Sequence, residues 1–489
     1  MNRKYWKKRH KWLGLGMSLI IILYSVSGIV LNHRVFFSSI GVSRSILPQT
    51  YRYKDWNGGI VRGTLQPSNE ELPELLLYGA SGVWAKDGDV VSDFNIGLPD
   101  GPDHRQIKAV VETSDGELFA AGQFGLYRFD KGWKSVDIGH KTNTRIADLT
   151  LKGDTLVLLS RNYLYISTSP YAKWEQVQLV AGSDYTGQVT MLKTIWELHS
   201  GAYFGLLGRL IVDAFAVVMI LLSVTGILHW FFPKLLKHLK RKGKAMKRSV
   251  HQMKNNLYLH DKIGRWTVVF LLLVTFTGML LRPPLLLTIV KERAKPIPGT
   301  SLYSSNPWKD QLRMIRYDEG RGEWLLSGSG GFYTMKSLKD MPRRIDPSPR
   351  VSVMGLNVME RLSDGRWLVG SFSGAYLWCR ESGEIRDYFT NQVSLPLSGM
   401  PTFNQQAVSG YSRELNEVFL NIEGSDFAPM PNELSKLPMS LYNVMLEVHT
   451  GRIFTFLPFP DGWFAFVAGS LIIVMLVVGW SIRLTKQKK

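Results

Sequence analysis

The chain has 489 residues, a formal net charge of +19 and one cysteine, Cys379. A single cysteine excludes internal disulfides, thiolate metal clusters and a covalently attached c-type haem. Apolar residues make up 45% of the chain, and four segments stand apart as long apolar runs, which points away from an ordinary soluble globule.

Residues 1–11 hold six Lys or Arg and no acid, and residues 12–31 then carry no charge at all. Twenty helical residues rise about 30 Å, the thickness of a bilayer's hydrocarbon core. Three similar runs follow: 210–232, with Asp213 as its only charged residue, 266–281, and the uncharged 463–482. Residues 234–254 hold nine basic residues and 483–489 hold four, again without an acid. Together with the N-terminal six they equal the whole positive excess. Short basic flanks stay in the cytoplasm; their place beside the spans favours topology over nucleic-acid binding.

The expected organisation is a cytoplasmic tail (1–11), a first span (12–32), a periplasmic β segment (33–205) and a second span (206–232). A basic cytoplasmic loop (233–262) and a third span (263–290) follow. A second periplasmic β segment (291–460), a fourth span (461–483) and a cytoplasmic tail (484–489) complete it. The first apolar run is too long for a signal-peptide core and lacks a small-residue cleavage site, so it reads as a retained anchor. Arg282-Pro283-Pro284 ends the third helix.

Two phrases repeat along the chain. His10-Lys11-Trp12-Leu13-Gly14 with Gly28 matches His260-Asp261-Lys262-Ile263-Gly264 with Gly278, at spacings of four and eighteen residues. Glu197-Leu198-His199-Ser200-Gly201 matches Glu447-Val448-His449-Thr450-Gly451. The chain reads as a duplication of span, ectodomain, span, whose copies share one orientation.

A smaller unit recurs outside the spans. Gly116, Gly125 and Tyr127 share a spacing with Gly322, Gly331, Tyr333 and with Gly365, Gly374, Tyr376. Weaker echoes occur at 79–84 and 153–165. Each reads as a β-hairpin, spaced as in propeller blades. With about three units per half, the fold class is a four-span α + β membrane protein. A periplasmic β-propeller-like domain is assembled from both ectodomain segments; two separate β-sandwiches are the rival.

Six of the ten histidines flank the spans: His10, His229 and His260 at the cytoplasmic ends, His33, His199 and His449 at the outer ends. Duplication makes His10 equivalent to His260 and His199 equivalent to His449, so each face receives an imidazole pair from two different helices. Eighteen residues are five helical turns, which sets Gly28 on the stripe of His10; such stripes admit a close neighbour. Imidazole suits haem iron, zinc, copper and nickel. Two axial histidines suffice for a b-type haem, while His33 or His229 as a third ligand leaves a three-histidine metal site open. Asp213 is the intramembrane acid, a proton carrier or a partner of Arg209. Glu197 and Glu447 are either supports for the outer imidazoles or surface charges. With no dinucleotide fingerprint or phosphate loop, no flavin or NAD(P) site is expected.

These phrases, HKWLG with SGIVLNHR, ELHSG with TGILHWF, HDKIG with TGMLL, and EVHTG, resemble the PepSY-associated transmembrane family. The resemblance implies a bacterial inner-membrane protein linked to iron acquisition, similar to diheme siderophore-iron reductases. It makes His10, His260, His199 and His449 the leading ligands of two b haems, with His33 and His229 second. It also implies oxidoreductase activity of the ferric-chelate reductase type, with electrons from quinol or a cytosolic reductase passing to a periplasmic ferric chelate. The ectodomains depart from the family, since propeller-like hairpins stand where a PepSY module would. Two alternatives stand beside this: a periplasmic binding or accessory protein whose helices anchor or signal, and a transport subunit that uses the histidines for metal or haem passage.

Overall fold

The structure, a computed structural model, describes residues 3–139, 145–352, 355–394, 406–457 and 462–487. The end positions 1–2 and 488–489 of the two expected tails lie outside these residues. The chain divides into two compact units. One comprises Met1–Phe37, Gly187–Tyr303 and Leu441–Lys489; the other comprises Ser38–Thr186 and Ser304–Ser440.

The first unit is helical. Among the described residues, four helices are long and apolar enough to cross a membrane: Lys4–Asn32, Ala202–Arg241, Lys247–Leu280 and Trp463–Ile482. Their outward side chains are apolar, with Trp266, Val269 and Leu273 all more than half exposed. Met17, Ile21, Val268, Leu271, Ala468 and Ile472 form the buried seam between them. Apolar residues on both faces are what lipid on one side and protein on the other require.

The expected basic loop at 233–262 is mostly helix. The second helix runs on to Arg241 and the third begins at Lys247, leaving a turn in which Gly243 takes a φ of +62°. Lys and Arg are good helix formers, so a run of basic charge does not end a helix. The third helix stops at Leu280, just before Arg282-Pro283-Pro284, where the prolines are expected to end it. Two short helices, Met191–Ser200 and Leu441–Thr450, carry the repeated Glu-x-His phrases. Both belong to this helical unit, although the sequence assigned them to β segments. The first is capped by the Thr190 hydroxyl accepting from the Lys193 N–H.

The second unit is built from antiparallel sheets. Five have four strands in sequential order, spanning 63–93, 107–136, 146–177, 312–344 and 356–387. A sixth has two strands, Val408–Ser412 and Glu417–Leu420, and a short seventh, outside that series, pairs Gly41–Val42 with Met439–Ser440. Every hairpin read from the glycine–tyrosine spacing forms, for example Leu118–Gly122 with Leu126–Phe129 and Trp367–Ser371 with Gly374–Trp378. Gly116, Gly322 and Gly365 open these hairpins at positive φ, which explains why the first glycine recurs.

The sheets are neighbours in order through their first strands. Ile107–Glu112 touches Leu75–Gly79, Ile146–Lys152 touches Ile107–Glu112, and Leu312–Asp318 touches Ile146–Lys152. Leu356–Arg361 touches Leu312–Asp318, and Val408–Ser412 touches both Leu356–Arg361 and Gly63–Leu65. The two chain segments therefore form one unit and not two separate sandwiches. Arg316 ties three of the sheets together, donating to Asp148 at 2.5 Å and to Glu360 at 3.2 Å. Of the aromatic residues at the hairpin ends, Tyr127 and Tyr333 are buried in the core and Tyr376 is half-buried.

Candidate functional site

The helical unit brings four of the six flanking histidines together as two pairs. His10, on the helix Arg3–Asn32, and His260, on the helix Lys247–Leu280, have ring centres 6.1 Å apart. His199 and His449, at the ends of the two short helices, have ring centres 6.0 Å apart. Along the first span, His10 and Gly28, where His449 rests, are eighteen residues apart, a rise of about 27 Å.

Each imidazole lies over a glycine and is held through Nδ1. His10 lies over Gly479, where a Cβ would stand 2.8 Å from its Cε1, and its Nδ1 meets the Met475 carbonyl at 3.1 Å. His260 lies over Gly226, 3.6 Å from a Cβ there, and its Nδ1 meets the Thr225 hydroxyl at 2.8 Å. His199 lies over Gly278 at 2.8 Å, with Nδ1 between the Val274 carbonyl at 3.0 Å and the Thr277 hydroxyl at 3.2 Å. His449 lies over Gly28 at 3.6 Å, and its Nδ1 meets the Ser27 hydroxyl at 2.9 Å. A carbonyl only accepts, so the hydrogen of His10 and His199 sits on Nδ1 and the Nε2 lone pair is left for a ligand.

The seats are exchanged between the chain's halves. His10 and His199, from the first half, rest on the fourth and third spans; His260 and His449, from the second half, rest on the second and first. Asn256, one turn before His260, donates to the Thr225 carbonyl at 2.8 Å and fixes the approach of the third span to the second.

Spacing had grouped Gly14 and Gly28 under His10, and Gly264 and Gly278 under His260. The structure gives these glycines other neighbours. Gly14 faces Met475 Sδ at 3.8 Å and Gly264 faces Leu222 at 3.7 Å. Gly28 and Gly278 receive the imidazoles of the opposite end. Each of these histidines reaches sideways to a glycine of another helix rather than down its own. Gly226 follows a threonine as Gly278 does, a signal the Thr-Gly dipeptide carried; Gly479 follows Val478 and had none.

Of the second-rank residues, His33 lies away from the pairs. His33 donates from Nε2 to Asp213 Oδ2 at 2.8 Å, and Asn32 donates to Asp213 Oδ1 at 2.7 Å. Asp213 thus pairs with His33 and Asn32 and not with Arg209, because the turn after the first span brings those side chains to its carboxylate. Among the described residues no group of three or more His, Cys, Asp and Glu is arranged to hold a metal ion, so neither His33 nor His229 completes a three-ligand centre. Glu447 forms a two-point pair with Arg452, and Glu197 accepts from Ser301 and faces Lys193. The imidazoles take their support from helix carbonyls and hydroxyls instead.

Burial above all, then the neighbouring His199 ring, pushes the His449 imidazole down to about 3, and burial lowers His199 as well. An imidazole held below its ordinary 6.5 is protonated first in the unfolded chain. With nothing bound at Nε2, stability is therefore fully present above pH 6.5 and declines as pH falls from there toward 3. The expected slope is up to about 1.4 kcal/mol per pH unit from His449 alone, read as a falling melting temperature of the chain in detergent. A flat profile across that window would mean that the ring is solvated.

Four apolar helices with buried polar groups at their ends define a membrane protein. The family described as the PepSY-associated TM region matches residues 1–232 and again 235–486, and the chain belongs to that family. None of the curated proteins compared with it is similar above chance. Among solved structures, the extracellular domain of BT4673 from B. thetaiotaomicron, described as a one component system, is 11% identical with a TM-score of 0.34. That likeness covers 76% of this chain and 39% of the other. A second structure of that domain, described as a hybrid two component system, has a TM-score of 0.33 at the same identity and coverage. The N-terminal domain of Nup159 is 17% identical with a TM-score of 0.16, over 27% of this chain and 42% of that one.

Proposed function

We propose that this protein is an inner-membrane diheme electron-transfer protein that passes electrons outward to a periplasmic acceptor, a ferric chelate being the acceptor class that fits an iron-reducing role. The observation that carries the reading is the pair of facing imidazoles at each end of the helical unit. Metal–imidazole bonds of about 2.0–2.1 Å on opposite sides of one ion set ring centres roughly 6.3 Å apart. Separations of 6.1 and 6.0 Å agree with that, as do Nδ1 atoms already engaged. Apolar walls suit a porphyrin, and Met17, Ile21, Val268 and Leu271 supply them between the two levels. His10 and His260 would hold one haem and His199 and His449 the other.

Such haems supply reversible one-electron transfer when bound. The chain's own residues do the rest. The Thr225, Thr277 and Ser27 hydroxyls and the Met475 and Val274 carbonyls orient the imidazoles. The glycine seats let the rings reach the helix backbone, and the buried seam keeps water from the space between the pairs. The basic flanks support cytoplasmic ends and a cytoplasmic turn at 242–246, which puts the sheet unit in the periplasm. The neighbour order of the six sheets supports reading that unit as a six-bladed propeller, and the double family match supports the duplication.

The test is spectroscopic. The full chain, purified in detergent and supplied with haem, should bind two haems and show the sharp α and β bands of six-coordinate b-type centres on reduction. In vesicles loaded with a reductant it should reduce an external ferric chelate. A chain that takes up no haem would leave the sheet unit as a binding module on membrane anchors.

A further inference from the structure

We propose that Ser27, Thr225 and Thr277 are positioning residues that set the donor strength of the imidazoles of His449, His260 and His199. Val478 leaves His10 the least constrained of the four. This rests on the diheme reading above and adds to it a difference between the two sites.

The three hydroxyls share one construction. Each residue stands immediately before the glycine on which the imidazole lies, and each is buried, Ser27 completely. Each hydroxyl donates its hydrogen into its own helix: Ser27 to Leu23 at 2.7 Å, Thr225 to Leu221 at 2.7 Å, Thr277 to Leu273 at 3.0 Å. A hydroxyl whose one hydrogen is committed can only accept from a further partner. The ring nitrogen facing it must then be the N–H, which places the lone pair on Nε2. The helix thus selects a tautomer two bonds removed from its own backbone.

The fourth seat breaks the pattern. Gly479 follows Val478, a side chain of nearly threonine's shape that carries no hydroxyl, and His10 keeps only the Met475 carbonyl. The outer pair therefore has a hydroxyl acceptor at both imidazoles, and the inner pair at one. An acceptor at Nδ1 raises the basicity of the ligating nitrogen. A more basic ligand favours the more highly charged ferric state, so each acceptor lowers the midpoint potential. The inner site carries the smaller share of this effect.

The experiment is a potentiometric titration of the haem-loaded full chain, followed by visible absorption. Thr225→Val should raise the midpoint potential of one haem and Thr277→Val that of the other. Thr225→Ser, which restores the hydroxyl, should return the parental value. Val478→Thr should lower the potential of the same haem that Thr225→Val raises. Valine variants that bind both haems at parental potentials would overturn the positioning role and leave the diheme reading intact. Val478→Thr acting on the haem that Thr277→Val shifts would overturn the assignment of seats. A parental chain that binds no haem would instead remove the reading beneath the proposal.

Discussion

Replacing His449 with alanine is expected to remove one of two haems and leave the other at full occupancy. On the proposed diheme reading the four imidazoles do not act independently. His449 and His199 have ring centres 6.0 Å apart, and His10 and His260, at 6.1 Å, are a second, separate pair. Loss of one axial ring leaves its partner with nothing to complete the coordination, so His199→Ala should have the same effect. The double variant His199→Ala/His449→Ala should lose no more than either single one. By contrast, His449→Ala/His260→Ala should lose both haems, since those substitutions strike different centres. Non-additivity within a pair and additivity across pairs is the signature of groups that act as a unit. Haem per chain, measured after extraction, reads the result directly. If every single substitution emptied both sites, or if none emptied either, the pairing would be wrong.

The second large effect comes from the glycine seats, and it separates four positions that look alike in sequence. A Cβ at Gly278 would stand 2.8 Å from His199 Cε1 and 3.4 Å from both ring nitrogens; one at Gly479 would stand 2.8 Å from His10 Cε1. At Gly28 and Gly226 the same atom would meet the imidazole at 3.6 Å, an ordinary contact. Gly278→Ala should therefore displace His199 and empty the outer site, and Gly479→Ala should do the same at the inner site. Overpacking of this kind costs about 1–3 kcal/mol, which should also lower the melting temperature. Gly28→Ala and Gly226→Ala should keep both haems. Gly16→Ala is the control, because nothing lies within 4 Å of a Cβ there. Equal loss in all four seat variants, or in none, would show that the imidazoles do not rest where the structure places them.

Much of this was legible before any coordinates. The spans announced themselves by uninterrupted apolar length, and the repeated His-x-x-x-Gly and His-[Ser/Thr]-Gly phrases singled out the four converging histidines. The glycine–tyrosine spacing gave the hairpins, since only glycine turns easily at positive φ where Gly116 and Gly365 stand. Other features were hidden because sequence separation carries no information about which helices adjoin. Nothing near His10 points to Gly479, and nothing near Asp213 points to His33. The last sheet, Val408–Ser412 with Glu417–Leu420, turns through Asn416 at a φ of +49° and so lacks the glycine that marked the rest. The basic run at 233–262 gave no sign of the helix ends, because Lys and Arg continue a helix readily.

The exchange of seats has a further consequence. Residues 1–232 contain two histidines that need glycines from beyond 235, and two glycines that await histidines from there. A polypeptide with only one such half would be a lock holding its neighbour's key. Two identical copies, associating side by side with reciprocal insertion, are the smallest assembly in which every ring finds a resting place. Joining two such halves in one chain turns that encounter into an intramolecular one.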